Sequence, residues 1–342
     1  DFDGLQYNPS SINANVYDLR YGTIYVQMHG GAGGVTKTTG STVTLNASND
    51  FTGTITVGGA TTGGILNLYG ANTGVGAITL LGSGSQLVAG AQGALGDVAR
   101  GTTVNLGTQL RLDTQSASPQ PYSYTTTRAY DFDSAEPLTI GGTYTGGATT
   151  AASALYNFSG ISRLSGAITL LGGTSASPQA TTIAAGTNSK LDLTGPITVE
   201  SGKYASLTLR VDSGTRFAGG QISVAGAMNL GTGSLAIEGT SSSNYTYAAL
   251  LADNTYSGGT TLGTASNYVW GMVAGSARAF GTGDVTVTWA DIYAAADLNL
   301  SSATFSLVRG NVWLATSIPG RLGTTDFDGL QYNPSSINAN VY

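Results

Sequence analysis

The chain has 342 residues, a formal net charge of −6 and no cysteine. The lack of cysteine excludes disulfide bonds, cysteine-ligated zinc and thiol catalysis, and an acidic chain without a basic stripe is a poor partner for nucleic acid. Hydrophobic residues make up 41% of the chain and charged residues 9%, and 51 residues are glycine. This composition supplies a long core, and no apolar run approaches the length that spans a membrane.

Short runs that alternate apolar and polar residues recur along the chain, each bounded by Gly, Asn or Asp. Their period of two and their β-branched residues predict strands. Only the Ala-rich run 293–298 suggests a helix, and it is too short to be convincing. The predicted strands are 42–45, 54–57, 65–68, 77–81, 103–106, 109–112, 138–140, 167–171, 190–193, 196–199, 206–211, 234–237, 284–289, 304–308 and 311–314.

Short peptides that recur in the sequence favour a solenoid. Closely spaced short strands fit a sandwich, a barrel or a solenoid, but GAITLLG occurs at 76–82 and 166–172, and SASPQ at 116–120 and 175–179. Their unequal spacing indicates irregular coils. The predicted fold class is all-β, a right-handed parallel β-helix or β-solenoid, with a β-sandwich as the alternative. Coils of ~20 to 25 residues would give ~13 to 16 coils and an axial length of roughly 60 to 80 Å.

The first seventeen residues, DFDGLQYNPSSINANVY, return unchanged at 326–342, an offset of 325 residues. Such identity indicates a recent duplication, a window from a tandem array, or an added segment that completes a head-to-tail contact; a duplication without a role is the remaining alternative. We therefore interpret 1–325 as one solenoid repeat unit and 326–342 as the start of the next. A head-to-tail contact that does not close on itself generates a filament.

Apolar residues of the duplicated segment are predicted to fill core or junction positions between successive units. A solenoid end otherwise exposes an unpaired strand edge and an uncapped core. In a covalent array, Tyr342 would be followed by Asp, Leu and Arg, as Tyr17 is. The predicted junction residues are Phe2, Leu5, Ile12, Val16, Phe327, Leu330, Ile337 and Val341.

Three segments resemble the autotransporter-associated β-strand repeat: NTYSGGTTL at 254–262, AFGTGDVTV at 279–287 and AAADLNL at 294–300. A weaker version begins with NDFTGTIT at 49–56. The resemblance implies a right-handed β-helix on a bacterial cell surface, and no substrate. In physical terms, Gly-Gly allows a tight corner, Thr-Thr enters the next strand with one side chain inward and one outward, and stacked coils align amides and hydroxyls in ladders.

Paired carboxylates are the candidates for catalysis. Asp131 and Asp133 flank Phe132, and the same tripeptide occurs at 1–3 and 326–328. Such a pair could act as acid and base or hold Ca²⁺. Because no basic residue recurs beside these pairs, we favour an Asx turn with an aromatic plug into the core. The sequence therefore predicts no enzyme, no metal site and no cofactor.

Other polar and aromatic residues carry weaker signals. His29 is the single histidine, so it cannot anchor a transition-metal site, and it is predicted to be exposed or to cap a coil. Most of the 18 tyrosines are expected in corners and ladders, with sugar stacking or contacts between filaments as the functional alternative. Thr-x-Thr at 42–44, 54–56 and 286–288 would suit an ice-binding face if aligned, but their irregular separation argues against one.

These patterns predict an extracellular bacterial module of a fibre, sheath or giant tandem-repeat adhesin that assembles head to tail with copies of itself. The first alternative is an autotransporter-like passenger adhesin that binds glycans or surface matrix. The second is a polysaccharide-degrading β-helix enzyme. In the favoured interpretation, function resides in length, stiffness and surface.

Overall fold

A computed structural model describes residues 11–60, 62–96, 98–114, 130–144, 146, 152–187, 189–213, 220–242 and 245–313, together with the backbone of 314 and 337–341. The described residues form strands and turns without a helix, and the Ala-rich run at 293–298 contributes instead to two strands.

The strands of the first half are β1 Ser11–Ala14, β2 Tyr17–Asp18, β3 Gly22–Ile24, β4 Gln27–Gly30, β5 Val35–Lys37, β6 Thr42–Leu45, β7 Ile55–Val57, β8 Ile65–Leu68, β9 Ile78–Leu80, β10 Gln86–Ala89, β11 Thr102–Val104, β12 Gln109–Asp113, β13 Phe132–Ser134, β14 Leu138–Ile140, β15 Leu155–Leu164 and β16 Ile168–Leu170. The strands of the second half are β17 Gln179–Ala185, β18 Ser189–Leu193, β19 Ile197–Val199, β20 Ala205–Val211, β21 Gln221–Val224, β22 Met228–Asn229, β23 Leu235–Gly239, β24 Tyr247–Leu250, β25 Thr260–Leu262, β26 Val269–Ala274, β27 Val285–Val287, β28 Ala290–Ala294, β29 Leu298–Leu307, β30 Gly310–Leu314 and β31 Ile337–Val341.

The chain winds through three parallel sheets in a fixed order, which we call faces 1, 2 and 3. Every pairing between named strands in the described residues is parallel, so the β-sandwich alternative is wrong and the predicted β-solenoid is confirmed. β15 turns from face 3 to face 1, because its first residues pair with β12 and β17 and its last with β13 and β18. Face 1 begins with β1 and β4 and continues in β13, β15, β18, β21, β24, β26, β28 and β30. Face 2 contains β2, β5, β7, β9, β11, β14, β16, β19 and β22. Face 3 contains β3, β6, β8, β10, β12, β15, β17, β20, β23, β25, β27, β29 and β31.

The core lies inside the coils and follows the period-two pattern of each strand. In β7, for example, Ile55 and Val57 are fully buried while Thr56 faces outward. Lys37 occupies an inward position beside Val57, and its ammonium group donates to the Thr39 carbonyl and hydroxyl oxygens. Burial lowers the pKa of Lys37, because charge is costly away from water.

The coils in the middle of the chain are longer than expected from the sequence. Thr36 and Thr56 are adjacent in face 2, 20 residues apart, but Thr103 and Thr139 are 36 residues apart at the same position. The estimate of 20 to 25 residues per coil therefore holds near both ends of the described coil stack, as in the 20-residue step from Val285 to Phe305, and fails in the middle. Twelve strands of face 3, β3 to β29, precede β31, fewer than the 13 to 16 coils expected.

Stacked asparagines form the amide ladder that coil stacking predicts. Buried Asn49 accepts from the Met28 N–H at 2.9 Å and donates to the Asn72 side chain at 2.8 Å. Asn72 in turn donates to the Ala94 carbonyl. These side chains replace strand hydrogen bonds at the corner between two faces, so the backbone groups there stay paired.

The NTYSGGTTL segment builds its corner from the residues that the motif logic singled out. Gly259 has a φ of +89°, while a Cβ at Gly258 would overlap the Thr232 carbonyl oxygen of the preceding coil. Thr260 is buried and Thr261 exposed, as expected for entry into a strand. Tyr256 is fully buried, and its hydroxyl lies 2.7 Å from the Thr260 hydroxyl. One glycine thus serves backbone conformation and the other close packing.

Replacement of Asn254 by Leu is expected to lower the free energy of unfolding by roughly 2 to 5 kcal/mol, because two buried backbone groups lose their partners. Asn254 accepts from the Met228 N–H at 2.8 Å and donates to the Ala279 carbonyl at 2.6 Å. Chemical denaturation measures the loss. Asn46→Leu, at an exposed position, is the control and should change stability by less than about 0.5 kcal/mol. Equal losses in both variants would contradict a structural role for the ladder.

Candidate assembly interface and outer surfaces

The first copy of the duplicated segment contributes β1 at the start of face 1. β1 pairs with β4 in the register Ile12 to Met28 and Asn13 to His29, and within the described residues it has no second strand partner. The Tyr17 hydroxyl fixes the turn after β1, donating to the Ile12 carbonyl at 2.9 Å and accepting from the Ala14 N–H at 3.1 Å. One edge of β1 is therefore paired and held.

Two predicted junction residues of the first copy lie at the surface. Ile12 is 44% exposed and Val16 is 52% exposed, which leaves two apolar side chains uncovered at this end of the coil stack. The predicted junction residues Phe2, Leu5, Phe327 and Leu330 lie outside the described residues. Whether the eight residues form a junction remains a prediction.

The second copy forms a strand over INANV, of which the first three residues also lie in β1 of the first copy. Residues 337–341 are β31, which pairs with β29 in the register Leu298 to Ile337 and Phe305 to Val341. Among the described residues β31 has no other strand partner. The two copies thus present opposite situations: the first pairs with the coil that follows it, and the second with the coil that precedes it.

The two copies lie on different faces. Ile12 is in face 1, beside Met28. Ile337 pairs with Leu298, and both continue face 2 beyond its last strand, β22. In the next coil after β22, the Thr255 N–H donates to the Met228 carbonyl at 3.0 Å. Two more backbone hydrogen bonds carry face 2 through the following coils to residue 299, beside Leu298. The Asn254 N–H donates to the Arg278 carbonyl, and the Asn299 N–H donates to the Ala277 carbonyl.

A threonine ladder runs along the outside of face 2. Strand pairing places one threonine per coil in register over seven coils, half-buried at each position. The sequence did not show this alignment, because the coils between the threonines vary in length. Thr-x-Thr is not repeated, since the position two residues earlier is Thr54 in one coil but Ala77 in the next. The ladder consists of Thr36, Thr56, Thr79, Thr103, Thr139, Thr169 and Thr198.

The carboxylate pair around Phe132 is engaged in structural contacts. Phe132 is fully buried, as expected for a plug. Asp131 accepts from the Ile161 N–H at 2.9 Å, and Asp133 forms a two-pronged ion pair with Arg163 of the next coil. The expectation that nothing basic lies beside this pair is wrong, because coil stacking brings in a residue that is distant in sequence. The matching pairs at 1–3 and 326–328 lie outside the described residues.

His29 lies next to an acid of the following coil. Its Nδ1 is 2.5 Å from Asp50 Oδ1, and the imidazole is one-third exposed. The imidazole reaches solvent, as expected, and its acidic partner lies 21 residues away, where no local pattern marks it. Within the described residues, no group of three potential metal ligands comes together.

An aromatic patch gathers all three tryptophans of the chain. Trp270 contacts Tyr245 with 4.5 Å between ring centroids, and Trp289 stacks on Tyr268 at 5.3 Å. Arg309 lies 3.5 Å above the Trp289 ring. Trp313, 51% exposed, pairs across strands with Tyr293. We define the aromatic patch as Tyr245, Tyr268, Trp270, Trp289 and Trp313; the buried Tyr247 and Tyr293 belong to the cluster on which its Tyr245 and Trp270 pack.

A polar cluster lies on the outer side of face 3. Arg111 pairs with Asp113 at 2.6 Å and lies 3.6 Å above the Phe158 ring. Tyr156 donates to Asp212 at 3.0 Å. Burial raises the pKa of Asp212 and, together with Asp212, that of Tyr156. These groups are joined across coils, so their charges are partly neutralised at the surface.

The raised pKa of Asp212 predicts a pH dependence of stability. An acid whose pKa is higher in the folded state stabilises the fold below its unfolded pKa of about 4, and that contribution is lost as pH rises through the folded pKa. Relative to Asp212→Asn, the natural chain should therefore lose unfolding free energy as the pH rises from about 4. Denaturation across this range measures the difference, with the exposed Asp253→Asn as control. A difference that grows in favour of the natural chain as pH rises would contradict the assignment.

No family model, curated protein or solved structure matches this chain. Among the described residues, no helix has the length and apolar character needed to cross a membrane. The resemblance to the autotransporter-associated repeat therefore stays a prediction from the sequence, and the functional argument depends on the geometry of this chain.

Proposed function

We propose that this chain is a structural module of an extracellular bacterial fibre, sheath or giant tandem-repeat adhesin, and that modules join head to tail. One observation carries the proposal: an identical segment forms a parallel strand at both ends of the described coil stack, on β4 in one copy and on β29 in the other. A strand that pairs forward in one copy and backward in the other suits a link between units. The extracellular location rests on the sequence resemblance alone.

The body between the two copies suits a load-bearing role. Along face 3, every strand from β3 to β29 pairs in parallel with the strand of the next coil, and the outer threonine ladder of face 2 carries no charge. Like charges stacked one per coil would repel along the ladder, whereas hydroxyls would not. The solenoid therefore supplies length and stiffness.

Electron microscopy and sedimentation of the purified chain test the proposal. We expect unbranched fibres that lengthen with protein concentration. A chain that stays monomeric at every concentration, in the absence of denaturant, would overturn head-to-tail assembly.

The second candidate function is glycan binding, and the aromatic patch favours it. Tyrosine and tryptophan offer flat apolar area beside polar groups, the kind of surface on which sugar rings stack. Titration with cell-surface polysaccharides tests this candidate by intrinsic tryptophan fluorescence. Trp313→Ala should weaken binding at least about tenfold, while exposed Tyr21→Ala, outside the patch, should not. Equal affinity for the Trp313 variant and the natural chain would reject the patch as the site.

A further inference from the structure

We propose that one copy of INANV occupies each junction between modules, with a coil on either edge. Through one edge it pairs with Leu298–Leu300 and Thr304–Phe305 of one module, as 337–341 do. Through the other it pairs with Gln27–Gly30 of the next module, as residues 11–14 do. The occupant of the free edge of β1 is thus a second copy of this chain. This inference rests on the proposed head-to-tail function and specifies its register.

The register follows from the identity of the two copies. Because Ile12 and Ile337 are the same residue of the repeat, Leu298 and Met28 become the two neighbours of one isoleucine across the junction. In the same way, Asn299 and His29 flank one asparagine. No other offset keeps both observed pairings.

The two pairings use opposite edges of the strand. Interior strands of the solenoid pair with the preceding coil on one edge and the following coil on the other, as β7 does with β5 and β9. The INANV strand meets the preceding coil in its second copy and the following coil in its first. The two partners therefore fit on one strand without competing for the same hydrogen-bonding groups.

The change of face turns each module relative to the last. The segment enters on face 1 in the first copy and continues the face 2 column in the second. Val341, the counterpart of Val16, pairs with Phe305 of face 3, while the next residue of the first copy, Tyr17, begins face 2. Face 2 of one module is therefore continued by face 1 of the next module, and face 3 by face 2. Each module is rotated relative to the last by one face out of three.

Cysteine cross-linking tests the register, and the chain has no native cysteine to interfere. Asn13 and Asn299 are both exposed. Two pairs of single variants are mixed under oxidising conditions: Asn13→Cys with Asn299→Cys, and Asn338→Cys with His29→Cys. At least one matched pair should give a disulfide-linked dimer. The offset control, Asn15→Cys with Asn299→Cys, should give at most about a tenth of that yield, because side chains two residues apart along a strand lie too far away to bridge.

The outcomes separate this inference from the proposed function. Fibres with a matched cross-link support both. Fibres in which neither matched pair exceeds the offset control overturn the shared strand and leave head-to-tail assembly standing. The absence of both fibres and cross-links overturns both. The double variant Asn299→Cys/Asn338→Cys should form the disulfide within one chain, which checks that the substituted chains fold.

Discussion

Aspartate at Ile337, at Val341 and at the two matching positions of the first copy is expected to raise the concentration needed for fibre assembly by at least about 100-fold, since each ~1.4 kcal/mol changes an association constant tenfold. Their counterparts Ile12 and Val16 are 44% and 52% exposed in the first copy, where a second module would cover them. Covering a carboxylate without a partner costs several kcal/mol, and covering the apolar side chains yields roughly 1 kcal/mol each. Sedimentation measures the change in assembly.

The control for this variant is aspartate at an exposed position of the same region, Ser301. It adds negative charge near the junction without entering the duplicated segment, so fibres should form at nearly the natural concentration. Normal fibres from the variant with aspartate in both copies would make the duplicated segment a passive tail. Fibre loss in the Ser301 variant as well would attribute the effect to net charge.

Alanine at Gly226 is expected to destabilise the fold by about 3 kcal/mol or more, because the added methyl group has no room in a packed interior. Gly166, Gly195 and Gly226 stack at one corner, and a Cβ on each would overlap a carbonyl oxygen of the coil before it, that of Gly195 in the case of Gly226. The obstructing atoms belong to the backbone, so no side chain can rotate away. Thermal denaturation should show a large drop in midpoint.

Gly40→Ala is the matched control for the glycine column. A Cβ at Gly40 would meet only the Gly63 carbonyl oxygen at 3.7 Å, an ordinary contact, and its φ is not in the left-handed region. This substitution should leave stability within about 0.5 kcal/mol of the natural chain or raise it slightly. If both alanine variants have the same thermal denaturation midpoint, the coils are not stacked as closely as the structure shows.

Strands with strict alternation could be predicted from the sequence, and fully buried strands could not. The predicted runs 42–45, 65–68 and 138–140 coincide with β6, β8 and β14. By contrast, β10 and β24 are buried on both sides. Their sequences, QLVA and YAAL, do not alternate polar and apolar residues, so nothing in the local pattern marks them as strands.

Contacts between coils were the second limit of sequence reasoning. Arg163 pairs with Asp133 across 30 residues, and the threonines of face 2 align over steps of 20 to 36 residues. A variable coil length hides such partners, since no fixed spacing identifies them. The duplicated segment was visible because its identity is complete, whereas its change of face depends on the strand pairing of both copies.

Helical reconstruction of the fibres by electron cryomicroscopy tests the central claim most directly. The account predicts rungs ~4.8 Å apart along the fibre axis and, from about twelve and a third coils per module, an axial repeat of roughly 60 Å. Successive modules should be turned by about one third of a coil and share a single INANV strand at each junction. Fibres of globular beads without the ~4.8 Å spacing, or modules joined through another surface, would contradict it.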